Sequence, residues 1–177
     1  MIQAKVVLLG EVSVGKTSLI RRFVDRSFSD TYLCTVGVKI SRKRFPLPPV
    51  EGRPGADVLL VLWDLEGGTG FSGITQTYLR GARAAVIVGD CTQPGTLDAI
   101  AHHADRFRTA NPDGSIVVAL NKIDLLGDAA VALPSPPGGV GRSSVTYTSA
   151  RTGEGVDGLF QAVGSFLLQE AENGPAR

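Results

Sequence analysis

The sequence predicts an α/β fold with a mostly parallel sheet of six strands, one antiparallel edge strand, and helices on both faces. Short, nearly continuous apolar runs alternate along the chain with segments whose apolar residues recur at helical spacing. Of the 177 residues 43% are hydrophobic, and 18 Lys and Arg nearly balance 17 Asp and Glu. This size and balance are typical of one folded domain, and they exclude a strongly basic nucleic-acid binder and a disordered charged tail.

Six segments carry the pattern of strands. Four are apolar runs typical of strands buried on both faces, and a shorter run follows them: Ile2–Leu9, Val58–Trp63, Ala84–Val88, Ile116–Leu120 and Val145–Thr148. Residues 36–45 instead alternate apolar with polar or small residues, which predicts an edge strand. Helical spacing predicts helices after residue 16, over Pro94–Ala110, and over Val156–Leu168. Residues 46–55 and 133–141 are rich in Pro and Gly, so we expect a hairpin tip and an irregular loop there.

Targeting and anchoring signals are not apparent in the sequence. No apolar run approaches the ~20 residues that span a membrane, and residues 1–5 lack the pattern of a secretory signal. Neither a Gly after Met1 nor a C-terminal cysteine is present, so we expect no lipid anchor. Cys34 and Cys91 make no disulfide framework. These features predict a cytoplasmic protein.

A phosphate-binding motif follows the first predicted strand. Residues 10–17 read Gly-Glu-Val-Ser-Val-Gly-Lys-Thr and fit the pattern G-x-x-x-x-G-K-[ST] between a strand and a helix. Backbone N–H groups and the helix N-terminus would face a phosphate there. Lys16 would add a positive charge at the outer phosphates, and the Thr17 hydroxyl would bind Mg²⁺.

Three further polar groups follow later strands of the predicted sheet. Asp64 comes directly after an apolar run, where a carboxylate beside a phosphate loop would complete a Mg²⁺ site, and Gly67 follows it. Residues 121–124 read Asn-Lys-Ile-Asp, and a carboxylate there can accept two hydrogen bonds from guanine that adenine cannot donate. Thr148-Ser149-Ala150 follows the next strand. All lie where open α/β sheets bind ligands, beyond the carboxyl ends of the strands.

In this order, the motifs resemble the Ras-like small GTPases, most closely the Rab branch, which have the three-layer P-loop NTPase fold. The similarity covers about residues 2–170, and we interpret residues 1–170 as one G domain and residues 171–177 as a short tail. It is strengthened by residues 74–82, which are similar to the Rab segment after the second switch. The resemblance implies a Mg²⁺-dependent guanine-nucleotide switch with GTPase activity. It also implies a protein effector and an activator that bind residues 28–45 and 65–80, and no nucleic-acid partner.

The resemblance assigns roles by position. Catalysis would involve Lys16, Thr35 and Gly67, and the metal ligands would be Thr17, Thr35 and Asp64. The Gly67 amide would face the γ-phosphate, and Phe28 would pack against the guanine. The expected GTP/GDP-binding residues are Glu11, Val12, Ser13, Val14, Gly15, Lys16, Thr17, Ser18, Phe28, Thr35, Gly67, Asn121, Lys122, Asp124, Ser149 and Ala150.

The sequence departs from the family in ways that concern hydrolysis. Gly68 stands where the family has a water-positioning glutamine, and Val12 has a branched side chain where an inserted arginine finger needs room. We therefore expect slow intrinsic hydrolysis that a partner accelerates. Thr35 lies 29 residues before Asp64, a longer spacing than a Rab is expected to have. The family helix near residues 128–142 is expected to be short or missing, because that segment runs into Pro and Gly.

Several alternatives remain open at this point. The chain could be a GTP-locked, non-hydrolysing scaffold, or a nucleotide-binding domain of a longer protein, as in Roco proteins. His102 and His103 could bind a metal, although a solvated helix face is the better interpretation. Glu66 could replace the missing catalytic group, but phosphate repels a carboxylate. The abundance of Arg, Ala and Gly hints at a prokaryotic source.

Overall fold

The structure is a computed structural model that describes residues 1–31, 35–49, 54–67, 73–127 and 143–173. Its described part forms a six-stranded sheet in the order β2-β3-β1-β4-β5-β6. The strands are β1 (Ile2–Leu9), β2 (Val38–Leu47), β3 (Ala56–Leu65), β4 (Ala84–Asp90), β5 (Ser115–Asn121) and β6 (Ser143–Tyr147). The helices are α1 (Lys16–Asp25), α2 (Gly73–Leu79), α3 (Pro94–Ala110) and α4 (Val156–Asn173).

The pairing of the strands confirms the predicted sheet. β1 pairs in parallel with β3 and β4, β4 with β5, and β5 with β6, while β2 alone runs antiparallel to β3 at the edge. Because five strands are parallel, their carboxyl ends share one edge of the sheet, and the loops that follow them are brought together.

The two faces of the sheet carry separate cores, as the alternation of side chains along β1 shows. Val6 and Leu8 point into a cluster with α1 and α4, whereas Val7 and Leu9 point into a second cluster with α3. The first cluster includes the stacked rings of Phe23 and Phe160, whose centroids lie 4.0 Å apart. Burying both faces explains why the central strands are continuous apolar runs.

Strand β2 differs from its prediction at both ends. It begins at Val38 rather than Val36, whose side chain is 85% exposed. It also continues through Pro46, which was expected in the hairpin tip but pairs with Asp57. An edge strand tolerates proline because the backbone nitrogen can face away from the ladder. The predicted tip therefore begins after Leu47.

Other predictions meet the described residues only in part. β1 and α3 have the predicted bounds, and β3 and α4 extend beyond theirs. The loop expected at residues 133–141 and the helix expected to be short near residues 128–142 lie outside the described residues. So does Cys34. Burial raises the pKa of the Cys91 thiol to about 11, which makes it a poor nucleophile. Among the described residues, no helix is long and apolar enough to cross a membrane.

Candidate functional site

The loops after β1, β3, β5 and β6 surround a cavity of about 290 Å³ at the carboxyl edge of the sheet. Thirteen predicted nucleotide-binding residues line this cavity: Val12, Ser13, Gly15, Lys16, Thr17, Ser18, Phe28, Thr35, Gly67, Asn121, Lys122, Asp124 and Ala150. The structure therefore brings together motifs that are up to 138 residues apart in the sequence. Glu11, Val14 and Ser149 support the lining from behind through the contacts described below.

The phosphate loop turns tightly into α1 and surrounds the Lys16 ammonium group. Lys16 is 6% exposed, and its Nζ donates to the backbone oxygens of Gly10 and Glu11 at 2.9 Å each. Gly15 adopts a left-handed conformation with φ of 102°, and a Cβ there would collide with the Asn121 amide. Glycine is required at this position because the loop is packed directly against the Asn121–Asp124 motif.

Three side-chain oxygens converge beside Lys16, and we call Thr17, Thr35, Asp64 and Gly67 the metal end of the cavity. The Thr17 hydroxyl donates to Asp64 Oδ2 at 2.5 Å, and the Thr17 and Thr35 hydroxyl oxygens are 2.7 Å apart. Thr35 also donates to Asp64 Oδ2 at 3.3 Å. These oxygens come from α1, from the segment before β2, and from β3.

The metal end has the donor chemistry that Mg²⁺ prefers. Asp64 is 1% exposed, and its Oδ1 has no hydrogen-bond partner within the part of the chain that the structure describes. Burial raises the pKa of this carboxyl, while hydrogen bonds from Thr17 and Thr35 and the charge of Lys16 act in the opposite direction. A buried carboxylate oxygen beside two hydroxyls fits a hard divalent cation, which would compensate the buried charge.

Gly67 packs against the phosphate loop at the metal end. A Cβ at Gly67 would lie 2.7 Å from both Lys16 Nζ and the Glu11 backbone oxygen, so a larger residue would push the two loops apart. Glu66, the residue before Gly67, is bonded to Gly37: its backbone N–H donates to the Gly37 backbone oxygen at 3.0 Å. The Glu66 carboxylate accepts from the Gly37 N–H at 3.2 Å. The Glu66 side chain therefore joins the segment after Thr35 to the segment after Asp64.

At the other end of the cavity, Asn121–Asp124 and Thr148–Ala150 form what we call the base end. Asn121 is 1% exposed, and its Nδ2 donates to the backbone oxygen of Val14 at 2.9 Å. Its Oδ1 accepts from the Thr148 hydroxyl at 3.1 Å and from the Ala150 N–H at 3.2 Å. Asn121 thus joins three loops and acts as a positioning residue for both motifs.

The carboxylate of Asp124 is oriented by a neighbour that sequence analysis placed in the same site. The Ser149 hydroxyl donates to Asp124 Oδ1 at 2.6 Å, and Ser149 Oγ in turn accepts from the Thr152 N–H at 3.1 Å. Ser149 is fully buried, while Asp124 is exposed and lines the cavity. The serine therefore fixes one carboxylate oxygen of Asp124 at the rim of the cavity.

Asp90 supports the candidate site from behind, and sequence reasoning missed it. It ends β4 with 1% exposure, and its Oδ2 lies 2.6 Å from Lys122 Nζ. Burial pushes the pKa of Asp90 upward, but hydrogen bonds from Lys122 and Thr92 outweigh it, and the pKa is lowered. The available signal was the one used for Asp64, a carboxylate directly after a buried strand. The lining residues Arg21, Ser29, Asp30, Thr31, Leu65, Leu125 and Arg151 were also not predicted.

Of the two histidines, His102 matches the predicted solvated helix face and His103 does not. His102 is exposed, but His103 is 1% exposed, and its Nε2 lies 3.0 Å from Glu11 Oε1. No group of three or more His, Cys, Asp or Glu side chains in the described ranges is arranged to hold a metal ion. Val12 stands at the cavity with 48% of its surface exposed, and Gly68 lies outside the described residues.

Comparisons with known proteins identify the family. A family described as "Ras of Complex, Roc, domain of DAPkinase" matches residues 5–124. The chain belongs to the Roc/Ras-like family of small GTPases. It is 30% identical to the GTP-binding protein YPT52 of Saccharomyces cerevisiae, over 94% of this chain and 82% of that protein. It is 32% identical to the Ras-related protein Rab-24 of Dictyostelium discoideum, over 98% of this chain and 85% of that protein.

A third small GTPase gives the same match. The chain is 32% identical to the GTP-binding protein ypt5 of Schizosaccharomyces pombe, over 99% of this chain and 83% of that protein. These relatives bear out the predicted resemblance to Rab proteins and support a GTP-binding switch.

Proposed function

We propose that this small GTPase is a Mg²⁺-dependent guanine-nucleotide switch that hydrolyses GTP slowly and relies on a partner to accelerate it. The observation that carries the proposal is the pairing of the two ends of one cavity. Lys16 and the three oxygens of Thr17, Thr35 and Asp64 stand at one end, and Asp124 stands at the other. A nucleotide needs both kinds of recognition at once.

At the metal end, Thr17, Thr35 and Asp64 would hold Mg²⁺, which supplies positive charge to the β- and γ-phosphates. Lys16 adds a fixed ammonium group, already oriented by two backbone oxygens of the phosphate loop. The Gly67 N–H is suited to the γ-phosphate because its residue packs against the loop. Loss of that phosphate would release Thr35 and Gly67, and so reset the switch.

At the base end, Asp124 would accept hydrogen bonds from the N–H groups of guanine, and the Ala150 N–H would face the guanine oxygen. Phe28 and Lys122 line the cavity and offer an aromatic ring and an aliphatic stem to the planar base. The Lys122 ammonium pairs with Asp90, so its stem is held in place. The other predicted nucleotide-binding residues are proposed to form the walls of the cavity or, for Glu11, Val14 and Ser149, to support those walls from behind.

The slow rate is inferred from what stands around the γ-phosphate position. Hydrolysis breaks the bond between the γ-phosphorus and the bridging oxygen, and water supplies the new oxygen. The water must be held in line with that bond. Gly68 has no side chain for this task, and the Glu66 carboxylate is engaged with the Gly37 N–H. Lys16, Thr35 and Gly67 are therefore left to supply charge and positioning alone.

A GTP-locked scaffold is the second candidate function, and the position of Val12 favours it. Its branched side chain is half exposed at the cavity, where a partner's arginine would have to enter. In that case residues 28–45 and 65–80 would bind an effector continuously. For either function we propose cytoplasmic residence, a G domain over residues 1–170, and no nucleic-acid partner; the prokaryotic source stays a prediction.

Nucleotide content separates the two candidates. The protein is purified in Mg²⁺, the bound nucleotide is released by heat, and chromatography identifies it. GDP is expected for the switch and GTP for the scaffold. A parallel titration compares fluorescent GDP and ADP, with Asp105→Asn, an exposed carboxylate on α3, as a control for Asp124→Asn. Equal affinity for the guanine and adenine nucleotides would contradict both candidates.

A further inference from the structure

A buried histidine joins α3 to the phosphate loop behind the cavity. His103 is 1% exposed in the middle of α3, and its Nε2 lies 3.0 Å from Glu11 Oε1. The two residues are 92 positions apart, so they meet only because α3 packs against β4, the strand next to β1. A buried polar ring is costly unless it is hydrogen-bonded, and Glu11 meets that requirement.

Glu11 stands between this histidine and the phosphate-binding lysine. While its side chain bonds to His103, its backbone oxygen accepts a hydrogen bond from Lys16 Nζ at 2.9 Å. The same oxygen would lie 2.7 Å from a Cβ at Gly67, so it also limits the approach of the loop after β3. A shift of Glu11 would therefore move the anchor of the Lys16 ammonium and the surface against which Gly67 packs.

The charge state of the pair suits a mechanical role. Burial lowers the pKa of His103, although the hydrogen bond and charge of Glu11 act in the opposite direction. A neutral imidazole whose Nε2 carries the hydrogen donates it to the Glu11 carboxylate. A neutral ring adds no second positive charge beside Lys16, whose charge also disfavours protonation of His103.

A metal site and simple core filling explain these facts less well. The exposed ring of His102 lies 6.0 Å from that of His103, centroid to centroid. Among the described residues, no three His, Cys, Asp or Glu side chains are arranged to hold a metal ion. A residue that only fills the core needs no polar atom, yet His103 aims Nε2 at a carboxylate that is one-quarter exposed. The bond itself is the feature that needs an explanation.

We propose that His103 and Glu11 are positioning residues that hold the phosphate loop from behind and thereby slow the release of nucleotide. The proposal rests on the proposed nucleotide-binding function. His103 acts through Glu11, and Glu11 acts through the backbone oxygen that orients Lys16. Neither side chain needs to touch the phosphates, because a displaced Lys16 ammonium is enough to weaken their binding.

The test measures the release rate of fluorescent GDP in Mg²⁺ after addition of excess unlabelled GDP. His103→Phe keeps an aromatic ring, slightly larger than the imidazole, but loses the donor, and His102→Phe is the matched control on the same helix. We expect release to accelerate roughly tenfold in the first variant and to stay unchanged in the second. His103→Gln restores a donor and should recover most of the wild-type rate.

The partner variants show whether the bond or the fold is responsible. Glu11→Gln keeps an acceptor and should change release little, whereas Glu11→Ala should match His103→Phe. The double variant Glu11→Ala/His103→Phe should be no faster than either single variant, because both remove one interaction. Since Glu11 is partly exposed, its variants keep the test usable if His103→Phe does not fold.

Different results overturn different conclusions. Wild-type protein that binds no GDP overturns the proposed nucleotide-binding function and this inference with it. Wild-type protein that binds GDP, together with a wild-type release rate in Glu11→Ala, overturns the inference alone. Additive effects in the double variant would do the same, as would a His103→Gln variant that releases GDP as fast as His103→Phe.

Discussion

At the base end of the cavity the polar side chains bond to one another, whereas at the metal end a buried carboxylate oxygen has no hydrogen-bond partner among the described residues. Asn121 satisfies Val14, Thr148 and Ala150 at once. Asp64 instead shares one oxygen between two hydroxyls, while its Oδ1 is left over. The base end is held together by hydrogen bonds within the protein, whereas the metal end leaves a buried carboxylate oxygen that the proposed Mg²⁺ would bind.

For the proposed switch, this difference would allow one fold to hold a nucleotide and also to respond to it. Buried polar groups that are fully paired resist rearrangement, whereas an uncompensated buried charge favours any change that pairs it. The base end can therefore keep its shape in every nucleotide state. The metal end, with Thr35 and Gly67 on the segments beside it, is the part whose arrangement we expect to depend on what is bound.

The largest effect is expected from removing the fixed charge at the metal end. Lys16→Ala deletes the oriented ammonium group and leaves the backbone oxygens of Gly10 and Glu11 without their donor. We expect GTP affinity to fall about a hundredfold or more, corresponding to about 3 kcal/mol of lost charged hydrogen bonding. Calorimetry in Mg²⁺ measures the affinity.

A lysine elsewhere serves as the control for that substitution. Lys5 lies over the Trp63 ring and donates to the Arg80 backbone oxygen. Lys5→Ala therefore also removes an ammonium group that is bonded to a backbone oxygen, but outside the cavity. Its GTP affinity should equal that of the wild type. If Lys16→Ala also binds GTP normally, the phosphate-loop assignment is wrong and the metal end has no special role in binding.

The second effect concerns the base end. Asp124→Asn replaces a guanine acceptor with an amide, which would face the guanine N–H groups with its own donor. We expect GTP affinity to fall roughly tenfold to hundredfold, for a cost of ~1–3 kcal/mol, and xanthine nucleotides to bind relatively better. Competition titrations with both nucleotides measure this. An unchanged preference for guanine would mean that Asp124 does not read the base.

How far the sequence predicted these two ends depends on the range of the contacts. The buried runs and helical spacing predicted β1 and α3 residue for residue because both patterns are local and strong. The motif order predicted the family and thirteen of the residues that line the cavity. Alternation in residues 36–45 correctly predicted an edge strand but not its start at Val38, since an exposed Val36 continues the same pattern.

The contacts that sequence reasoning missed join distant segments. The sequence places His103 on a helix, but only the fold shows that Glu11 lies beside it and hydrogen-bonds its buried ring. Asp90 stands at the end of a buried strand like Asp64, yet its pairing with Lys122 depends on β4 lying beside β5. Periodicity reports which face a residue occupies and says nothing about what arrives on that face from another element.

The third effect is on the rate of hydrolysis and tests whether the metal end lacks a group that positions the attacking water. If that end has its charge but lacks a group to hold the water, Gly68→Gln should raise the rate of single-turnover hydrolysis by about tenfold, the scale of one positioned hydrogen bond. Nucleotide affinity should stay the same. The double variant Val12→Gly/Gly68→Gln shows whether Val12 limits the gain.

The wild-type rate in the same assay has its own consequence. Slow, unaided turnover is expected from the isolated protein. Fast turnover by the wild type would show that a catalytic group exists outside this account, and Glu66→Ala would then be the first variant to measure. Gln76→Ala, at an exposed position of α2, and Arg53→Ala would be measured beside it as the other candidates.

The smallest effect concerns two carboxyls near the carboxyl ends of β3 and β4, the strands on either side of β1. Burial raises the pKa of Asp64, so the folded protein keeps a proton that the unfolded chain has already lost. Its contribution to stability is present below the ordinary pKa and is lost as pH rises through the raised value. Asp90 is opposite: hydrogen bonds from Lys122 and Thr92 outweigh burial and lower its pKa, so its contribution is present above the ordinary pKa and is lost as pH falls.

The two asparagine variants should therefore diverge with pH. In protein free of nucleotide and metal, Asp64→Asn should gain stability over the wild type as pH rises from about 4 to about 7. Asp90→Asn should be most destabilised near neutral pH, and its deficit should shrink toward about pH 3. Thermal unfolding across this range measures both, and Mg²⁺ with GDP should cancel the gain of Asp64→Asn by stabilising only the wild type strongly. Parallel curves for the two variants would mean that the ends of the cavity are electrostatically alike.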